Sequence, residues 1–368
     1  MRGFLIGVHI ADIHFAAFDP GKQYKILREQ FFPVVESLPK VDLISVDGDL
    51  YDHKLMGNSD GLYYASLFIS DIVDLAKRKG STVILIHGTF SHDADQLKNF
   101  YHYLNDPEVD IRIVTNLQYL DVHGARILCI PELYGIDESI YYDMLHYRCY
   151  YDECFMHGTF EGSVYGNNVG NGRLFTMQDF DMCQGFMIGG HVHKPGCHQG
   201  YFYYCGNPYR WKFGEEESKG FLITTHDLDT HKHYVHFQEI ISDTYITVPI
   251  DDIKNMDAKM LIAFISGIKK DIGADYLKIK FNTQINGTDK TILTNYYKNS
   301  PNTYVEFLNI VEEKRLEQKK NGMIPEEYEF LVDNKLTDME KFVMYVNKKE
   351  GSEFISIDKL KSILSGVI

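Results

Sequence analysis

The stretch VDLISVDGDLYD, residues 41–52, contains a mostly apolar run that ends abruptly in acidic residues. Residues 41–46 predict a buried strand, because apolar and β-branched residues predominate there. Residues 4–10 form a similar apolar run, and Asp12 and His14 follow it. Both runs therefore predict strands that carry potential metal ligands just beyond their last residues.

Helical segments separate these runs from each other and from a third one. Residues 22–38 and 60–79 have apolar residues at helical spacing, and residues 82–86 form the third apolar run. Basic residues close the second helix, which suits the C-terminal end of a helix dipole. The resulting β-α-β-α-β order predicts an α/β fold with a parallel core sheet and right-handed crossovers.

The rest of the chain has a different pattern. Short apolar runs between Gly and polar residues predict several more strands before a small α+β unit. Three domains are expected, over residues 1–240, 241–300 and 301–368. The later predicted elements are strands at 111–114, 119–122, 125–130, 154–157, 186–188, 201–205, 245–248 and 276–281, helices at 257–271 and 302–320, a turn at 286–287, and two amphipathic helices within 337–368.

Charge and composition exclude several classes of protein. The net charge is −15, which argues against a free-standing electrostatic DNA binder, since such domains are usually basic. No apolar run approaches the roughly 18 residues that a transmembrane helix needs. The six cysteines form no C-x-x-C pair, so we expect reduced thiols in a cytoplasmic or nucleoid-associated protein without membrane contacts.

Potential metal ligands recur at the ends of the predicted strands, where open α/β sheets place functional residues. Two divalent ions can clamp the attacking and leaving oxygens of a phosphate ester, with a carboxylate between them and imidazoles completing each ligand set. In an extended chain, D-x-H and H-x-H would place two side chains on one side. The segments are Asp12-Ile13-His14, residues 48–52 around Asp49, Ser91-His92-Asp93, His157-Gly158 and His191-Val192-His193.

These motifs, in this order, resemble those of the calcineurin-like metallophosphoesterases. The run from Tyr204 to Arg210 (YCGNPYR), followed by FGEEE at 213–217 and Lys219-Gly220, is similar to the segment after GHxH in SbcD-type nucleases, the meiotic-recombination-eleven family. The resemblance covers about residues 4–240. It implies a metallophosphoesterase β-sandwich flanked by helices, then a small α+β capping domain that binds DNA, and C-terminal helices that bind an ATPase partner.

The resemblance also implies a role for each motif residue. Asp12, His14, Asp49 and His193 would hold one ion, and Asp49, His157 and His191 would hold the other, with Asp49 bridging. His92 would stabilise the transition state and protonate the leaving oxygen, and Asp93 would orient it. Mixed His and carboxylate ligands favour Mn²⁺ for both ions, with Mg²⁺ as the alternative.

One motif departs from the family pattern. The family has Gly-Asn-His-Asp directly after the third strand, and its Asn is a metal ligand, whereas this chain reads HGTFSHD at residues 87–93. Aligning His92 and Asp93 puts Ser91 in place of the Asn. The missing ligand is therefore Ser91, His92 itself, His87 or a water.

The function implied by the resemblance is DNA end processing in recombination and repair. The chain would be a nuclease subunit, acting as a 3′–5′ exonuclease on duplex ends and an endonuclease on single strands. Its partners would be DNA, an SbcC-type ABC ATPase and a second copy of itself. Two other functions stay open: a phosphoesterase acting on small nucleotides or phosphoproteins, and a non-catalytic scaffold with the same fold.

Overall fold

The computed structural model describes residues 2–132, 145, 149–163, 173–253 and 256–308, and residues 340, 341, 343, 344 and 347. By its internal contacts the chain separates into two compact units. The first contains Met1–Val248, Ala263–Lys278 and Ser300–Tyr304, and the second contains Pro249–Ile262, Ile279–Asn299 and the described residues from Val305 onward. The domain boundaries expected at residues 240 and 300 stay a prediction.

A six-stranded mixed sheet forms one layer of the first unit. Its first three strands in chain order run parallel, as predicted, and a fourth extends the parallel order. Two later strands join on the side of the first strand, each antiparallel to its neighbour. The parallel strands therefore all end at the same edge. In spatial order the strands are β14 (His233–Ile240), β13 (Lys219–Asp227), β1 (Phe4–Ile10), β2 (Leu43–Asp47), β3 (Thr82–Ile86) and β4 (Asp110–Val114).

Two capped helices cover the outer face of this sheet. Helix α1 (Pro20–Ser37) begins where the Asp19 side chain accepts the N–H of Lys22 at 2.7 Å. Helix α2 (Asp60–Lys79) ends at Gly80, whose φ of 68° provides a left-handed C-cap. Their apolar faces pack on the strands in one cluster that includes Leu27, Phe31, Phe68, Ile72, Val8, Ile44 and Val83. Burial of these faces contributes most of the stability of the helices.

A second six-stranded mixed sheet packs against the inner face of the first. Its four inner strands are parallel, with antiparallel strands at both edges. Leu43 and Ile84 of the first sheet share a buried cluster with Phe155 and Phe186 of the second. Its spatial order is β11 (Gly196–His198), β12 (Phe202–Tyr204), β10 (Cys183–Gly190), β7 (Tyr151–His157), β6 (Ala125–Ile130) and β5 (Gln118–Val122).

Several short elements complete the first unit. Helix α3 (Phe90–Asp93) and a 3₁₀ helix (Gln96–Asn105) follow β3. Strands β8 (Thr159–Phe160) and β9 (Leu174–Phe175) pair in parallel, and a 3₁₀ turn spans Met177–Phe180. Among the described residues, no helix combines the length and the apolar character needed to cross a bilayer.

The elements after residue 240 correct two sequence predictions. The predicted 302–320 helix is wrong at its start, because Thr303–Phe307 forms strand β17 with alternately buried and exposed side chains. Asn286 does not simply make a turn but caps a helix, since its side chain accepts the N–H of Asp289 at 2.9 Å. The third sheet contains β15 (Tyr245–Ile250), β16 (Tyr276–Phe281) and β17, and the helices are α4 (Ala258–Ile272) and α5 (Gly287–Tyr297).

The two amphipathic helices predicted within residues 337–368 lie outside the described residues, apart from the five positions named above.

Candidate metal centre

The backbone that carries the predicted ligands has an unusual conformation. Asp12, His14 and Asp49 have φ values of 51°, 50° and 51°, in the left-handed region that few residues other than Gly adopt. The N–H groups of Asp12 and His14 donate to the carbonyls of Gly48 and Asp49 at 3.1 and 3.0 Å, so the loops after β1 and β2 are joined. Strain of this kind persists only where the surroundings enforce it, and it concentrates at functional sites.

The backbone conformation that brings the two residues of each motif together is therefore not the expected one. The D-x-H and H-x-H pairs were expected to use the alternation of an extended strand. Instead Asp12 and His14 are both left-handed, as is His191 with a φ of 88°. The two pairs still converge, because each follows the last residue of a buried parallel strand and their loops face one another.

Seven of the predicted site residues lie together in three overlapping clusters. The potential ligand atoms within each cluster all lie within 4.8 Å of one another. The first cluster is Asp12, His14 and His193; the second is Asp49, His157 and His191; the third is His14, Asp49 and His92. Asp49 and His14 each belong to two clusters. Imidazole and carboxylate ligands in this proportion fit divalent transition ions.

Distances within the clusters show how closely the donors approach. In the first cluster, Nε2 of His14 lies 3.1 Å from Nε2 of His193. In the second, Oδ2 of Asp49 lies 3.3 Å from Nε2 of His157, and the same oxygen lies 3.7 Å from Nε2 of His14. The Asp49 side chain therefore lies between His14 of the first cluster and His157 of the second, and its role as a bridging ligand stays a prediction.

Burial and neighbouring charges shift the pKa values of these groups in opposite directions. Burial would raise the pKa of Asp49, but His157 and His14 beside it hold that pKa below its ordinary value. Burial would lower the pKa of His157, but the Asp49 carboxylate holds it well above its ordinary value. Burial raises the pKa of Asp12, and burial followed by the charge of Asp49 raises the pKa of Asp93 to about 6. Asp49 is therefore the carboxylate most firmly held in its charged form.

The structure corrects the expected partnership of His92 and Asp93. His92 Nδ1 contacts the backbone carbonyl of Asp52. The Asp93 carboxylate instead accepts the N–H groups of Gly88, Asp49 and Tyr51 at 2.8, 3.1 and 3.2 Å. Asp93 is therefore placed to hold the Asp49 loop and not to orient His92.

The alternatives for the missing Asn ligand have different positions. Ser91 is exposed in α3. His87 Nε2 contacts the carbonyl of Ala94 at 2.6 Å. Thr89 comes next to Gly88, and its N–H and hydroxyl donate to the two oxygens of Asp49 at 2.6 and 3.2 Å. Of these side chains, those of Thr89 and His92 approach the cluster carboxylates.

Glu132, which no sequence motif indicated, is 9% exposed and reaches the second cluster. One of its carboxylate oxygens lies 3.6 Å from Nε2 of His157 and 3.3 Å from Nδ1 of His191. The signal was present in the sequence: Glu132 stands two residues after strand β6, just as Asp12 stands two residues after β1. It also lines a cleft of about 580 Å³, beside Phe90 and Tyr101.

The run from Asn207 to Lys219 forms a buried network behind the first cluster. Oε1 of Glu215 lies 3.1 Å from Nδ1 of His193, which leaves Nε2 of that ring to face His14. The Lys219 ammonium donates to Asn207, Glu217 and the His193 carbonyl at 2.5, 2.6 and 3.0 Å. Hydrogen bonds to the non-ligating nitrogen of a metal-binding His orient the ring and raise its basicity.

Comparison with known proteins gives little support for any assignment. No protein-family model matches the chain, and no curated protein matches it. Nineteen chains of solved structures match. One of them, a crystal structure, aligns with 64% of this chain and 100% of its own length, at 11% identity and a TM-score of 0.37. A similarity of this size carries no argument about fold family or function.

Proposed function

We propose that this protein is a metal-dependent DNA nuclease of SbcD type with the calcineurin-like metallophosphoesterase fold. The observation that carries the proposal is the sharing of Asp49 and His14 between clusters of ligands. A phosphodiesterase with a pair of ions needs one carboxylate between two sets of imidazoles. The two mixed sheets with flanking helices are consistent with this fold.

Each of the clustered residues would have its own role in the hydrolysis of the phosphodiester. Two divalent ions, which we propose to be Mn²⁺ with Mg²⁺ as the alternative, would supply an activated water and neutralise charge on the phosphate. Asp12, His14, Asp49 and His193 would hold one ion, and Asp49, His157 and His191 the other, so that Asp49 would be a ligand of both. His92, on the rim formed by α3, would transfer a proton to the leaving oxygen. Asp93 would keep the Asp49 loop in place through its three hydrogen bonds.

The buried network of Asn207, Glu215 and Lys219 favours a nuclease over a general phosphatase. The sequence motif that resembles SbcD-type nucleases is the same segment that holds His193 from behind. A net charge of −15 disfavours strong DNA binding by the chain alone. We therefore propose that an SbcC-type ABC ATPase and a second copy of the chain supply the DNA affinity, in the cytoplasm or at the nucleoid.

The test is a nuclease assay with linear duplex DNA beside a chromogenic small phosphodiester. We expect Mn²⁺-dependent degradation of the DNA by the purified chain. Asp49→Asn should abolish it, because the substitution removes the charge between the two ion positions. Asp60→Asn provides the matched control, since Asp60 is an exposed carboxylate at the start of α2, and it should keep wild-type activity.

The same assay separates the other two functions. Hydrolysis of only the chromogenic substrate would replace the nuclease with a phosphoesterase for small nucleotides or phosphoproteins. Bound Mn²⁺ without hydrolysis of either substrate, in the presence of the ATPase partner, would indicate a scaffold.

A further inference from the structure

Glu132 lies at the second cluster in a position that no motif predicted. Its carboxylate oxygen Oε2 lies 3.6 Å from Nε2 of His157 and 3.3 Å from Nδ1 of His191. Oδ2 of Asp49 lies 3.3 Å from the same nitrogen of His157. Ligands bonded to one ion at about 2.1 Å stand roughly 3–3.5 Å apart, so these separations are close to those of a ligand set.

The hydrogen bond on the other side of His157 decides which ring nitrogen faces the carboxylates. Nδ1 of His157 lies 2.8 Å from the carbonyl of Asp47. A carbonyl only accepts, so Nδ1 carries the hydrogen and Nε2 of the neutral ring presents a lone pair. That lone pair faces two carboxylate oxygens, from Asp49 and Glu132. Three electron-rich atoms converge in a buried place only if a cation or a proton lies among them.

Thr89 fixes the direction of both carboxylates. Its hydroxyl is 2.8 Å from Oε2 of Glu132 and 3.2 Å from Oδ2 of Asp49, while its N–H donates to Oδ1 of Asp49 at 2.6 Å. A single hydroxyl hydrogen serves one of the two carboxylates at a time. The hydroxyl and amide of Thr89 therefore orient the two side chains without neutralising them.

We propose that Glu132 is a ligand of the ion at the second cluster and that Thr89 is its positioning residue. This inference rests on the proposed two-metal function. In this chain, a carboxylate from the strand β6 end would take the place that the family gives to an amide beside the catalytic His. The second ion would consequently be bound by two carboxylates, from Asp49 and Glu132, and two imidazoles.

The single tryptophan of the chain makes a site-resolved test possible. The Trp211 ring centre lies 5.3 Å from that of His14 and 5.1 Å from that of His193. Quenching of its fluorescence by paramagnetic Mn²⁺ is therefore strongest for an ion at the first cluster. Calorimetric titration of the full chain with Mn²⁺ reports both clusters.

We expect the wild type to bind two Mn²⁺ ions. Glu132→Gln should weaken one of them by at least about tenfold while the Trp211 quenching curve stays unchanged. Glu132→Asp keeps the charge and should restore part of the lost affinity. Asp12→Asn should have the opposite effect on the Trp211 signal: it should shift the quenching curve, which Glu132→Gln leaves unchanged. Glu161→Gln, a glutamate that accepts the N–H of Met177 away from the clusters, should match the wild type.

The possible failures are distinguishable. If the wild type binds no Mn²⁺, the proposed two-metal function is wrong, and Glu132 is an ion-pair partner of the two histidines. If the wild type binds two ions and Glu132→Gln binds both with unchanged affinity, the function stands and the ligand role of Glu132 is wrong. A circular dichroism spectrum identical to that of the wild type establishes that each variant is folded.

Discussion

His92 lies in α3 and is half-buried, whereas His157 in β7 is fully buried. Nδ1 of His92 contacts the Asp52 carbonyl, as Nδ1 of His157 contacts that of Asp47, so Nδ1 carries the hydrogen and Nε2 faces the centre. A more accessible ring can exchange a proton with substrate, and we therefore assign His92 to proton transfer. We expect His92→Gln to lower the DNA hydrolysis rate by at least about 100-fold, as loss of a general acid does, while two Mn²⁺ ions stay bound by elemental analysis.

The control for that substitution is His53→Gln, because His53 lies in the same loop region with an exposed side chain. It should keep both activity and metal. Loss of one ion in His92→Gln would instead make His92 a ligand, which is one of the alternatives that the sequence left open.

His9 predicts a pH dependence of stability that is separate from the centre. Its ring is fully buried in the first sheet, between Ser45 Oγ at 2.8 Å and Thr224 Oγ1 at 2.9 Å. Burial lowers the pKa of His9 to about 3. Below pH 6.5, His9 is therefore protonated in the unfolded chain but stays neutral in the folded chain. The stability from neutral His9 is complete above the unfolded pKa and is lost as pH falls toward 3, by up to about 1.4 kcal/mol per pH unit.

Urea unfolding between pH 7 and pH 5, with a chelator present, measures this effect. We expect His9→Gln to be less stable at pH 7 but to lose less stability on acidification than the wild type. His236→Gln, at an exposed position of β14, should follow the wild-type slope. Equal slopes for all three proteins would exclude His9 as the source.

At the scale of elements, the site residues follow the ends of strands. The backbones of neighbouring strand ends approach each other closely, and this approach holds the site residues together. Gly48, with a φ of 89°, lies so near β7 that an added Cβ would be 2.1 Å from Nδ1 of His157. Gly80 has a similar φ of 68° but open space around it. Gly80→Ala should cost only the left-handed conformation, about 1–2 kcal/mol. Gly48→Ala should cost several kcal/mol more by urea unfolding and should abolish Mn²⁺ binding by calorimetry.

Equal losses in the two glycine variants, with Mn²⁺ binding intact in both, would show that the approach of β2 to His157 is not what assembles the centre.

The positions of the strand ends, and the site residues that follow them, were also the features that the sequence predicted best. Apolar runs followed by Asp or His predicted β1, β2 and β10 and the residues now found together, such as Asp12 and His191. The left-handed turns that orient them were not predictable, because Asp and His, although enriched in that conformation, adopt it at only a small minority of positions. Glu132 was missed because it follows a strand without a motif. The partner of Asp93 was mistaken because hydrogen bonds to backbone N–H groups leave no pattern in a sequence.

At the scale of the whole molecule, the fold buries several carboxylates close together at the candidate metal centre. The two sheets enclose Asp12, Asp49 and Asp93 almost completely, and buried carboxylates without a matching charge are costly. The Lys219 ammonium is also buried, but it already donates hydrogen bonds to Glu217 and Asn207. Asp49 is paired with His157, but burial raises the pKa of Asp12 and of Asp93, so these two carboxylates lack a full matching charge, which bound cations would supply.

This charge balance predicts that metal stabilises the whole fold. At free Mn²⁺ 100-fold above the dissociation constant, each ion should add about 2.7 kcal/mol to the free energy of unfolding, which corresponds to a rise in the thermal midpoint on the order of 5–10 °C. Differential scanning calorimetry with Mn²⁺ or with a chelator measures the shift. Asp49→Asn should lose most of it, and in chelator it should be less stable than the wild type, because it leaves the buried His157 imidazolium without its carboxylate partner. Asp60→Asn should show the full shift. A wild-type midpoint that Mn²⁺ does not move would mean that the clustered ligands balance their charges among themselves, through imidazolium and carboxylate pairs.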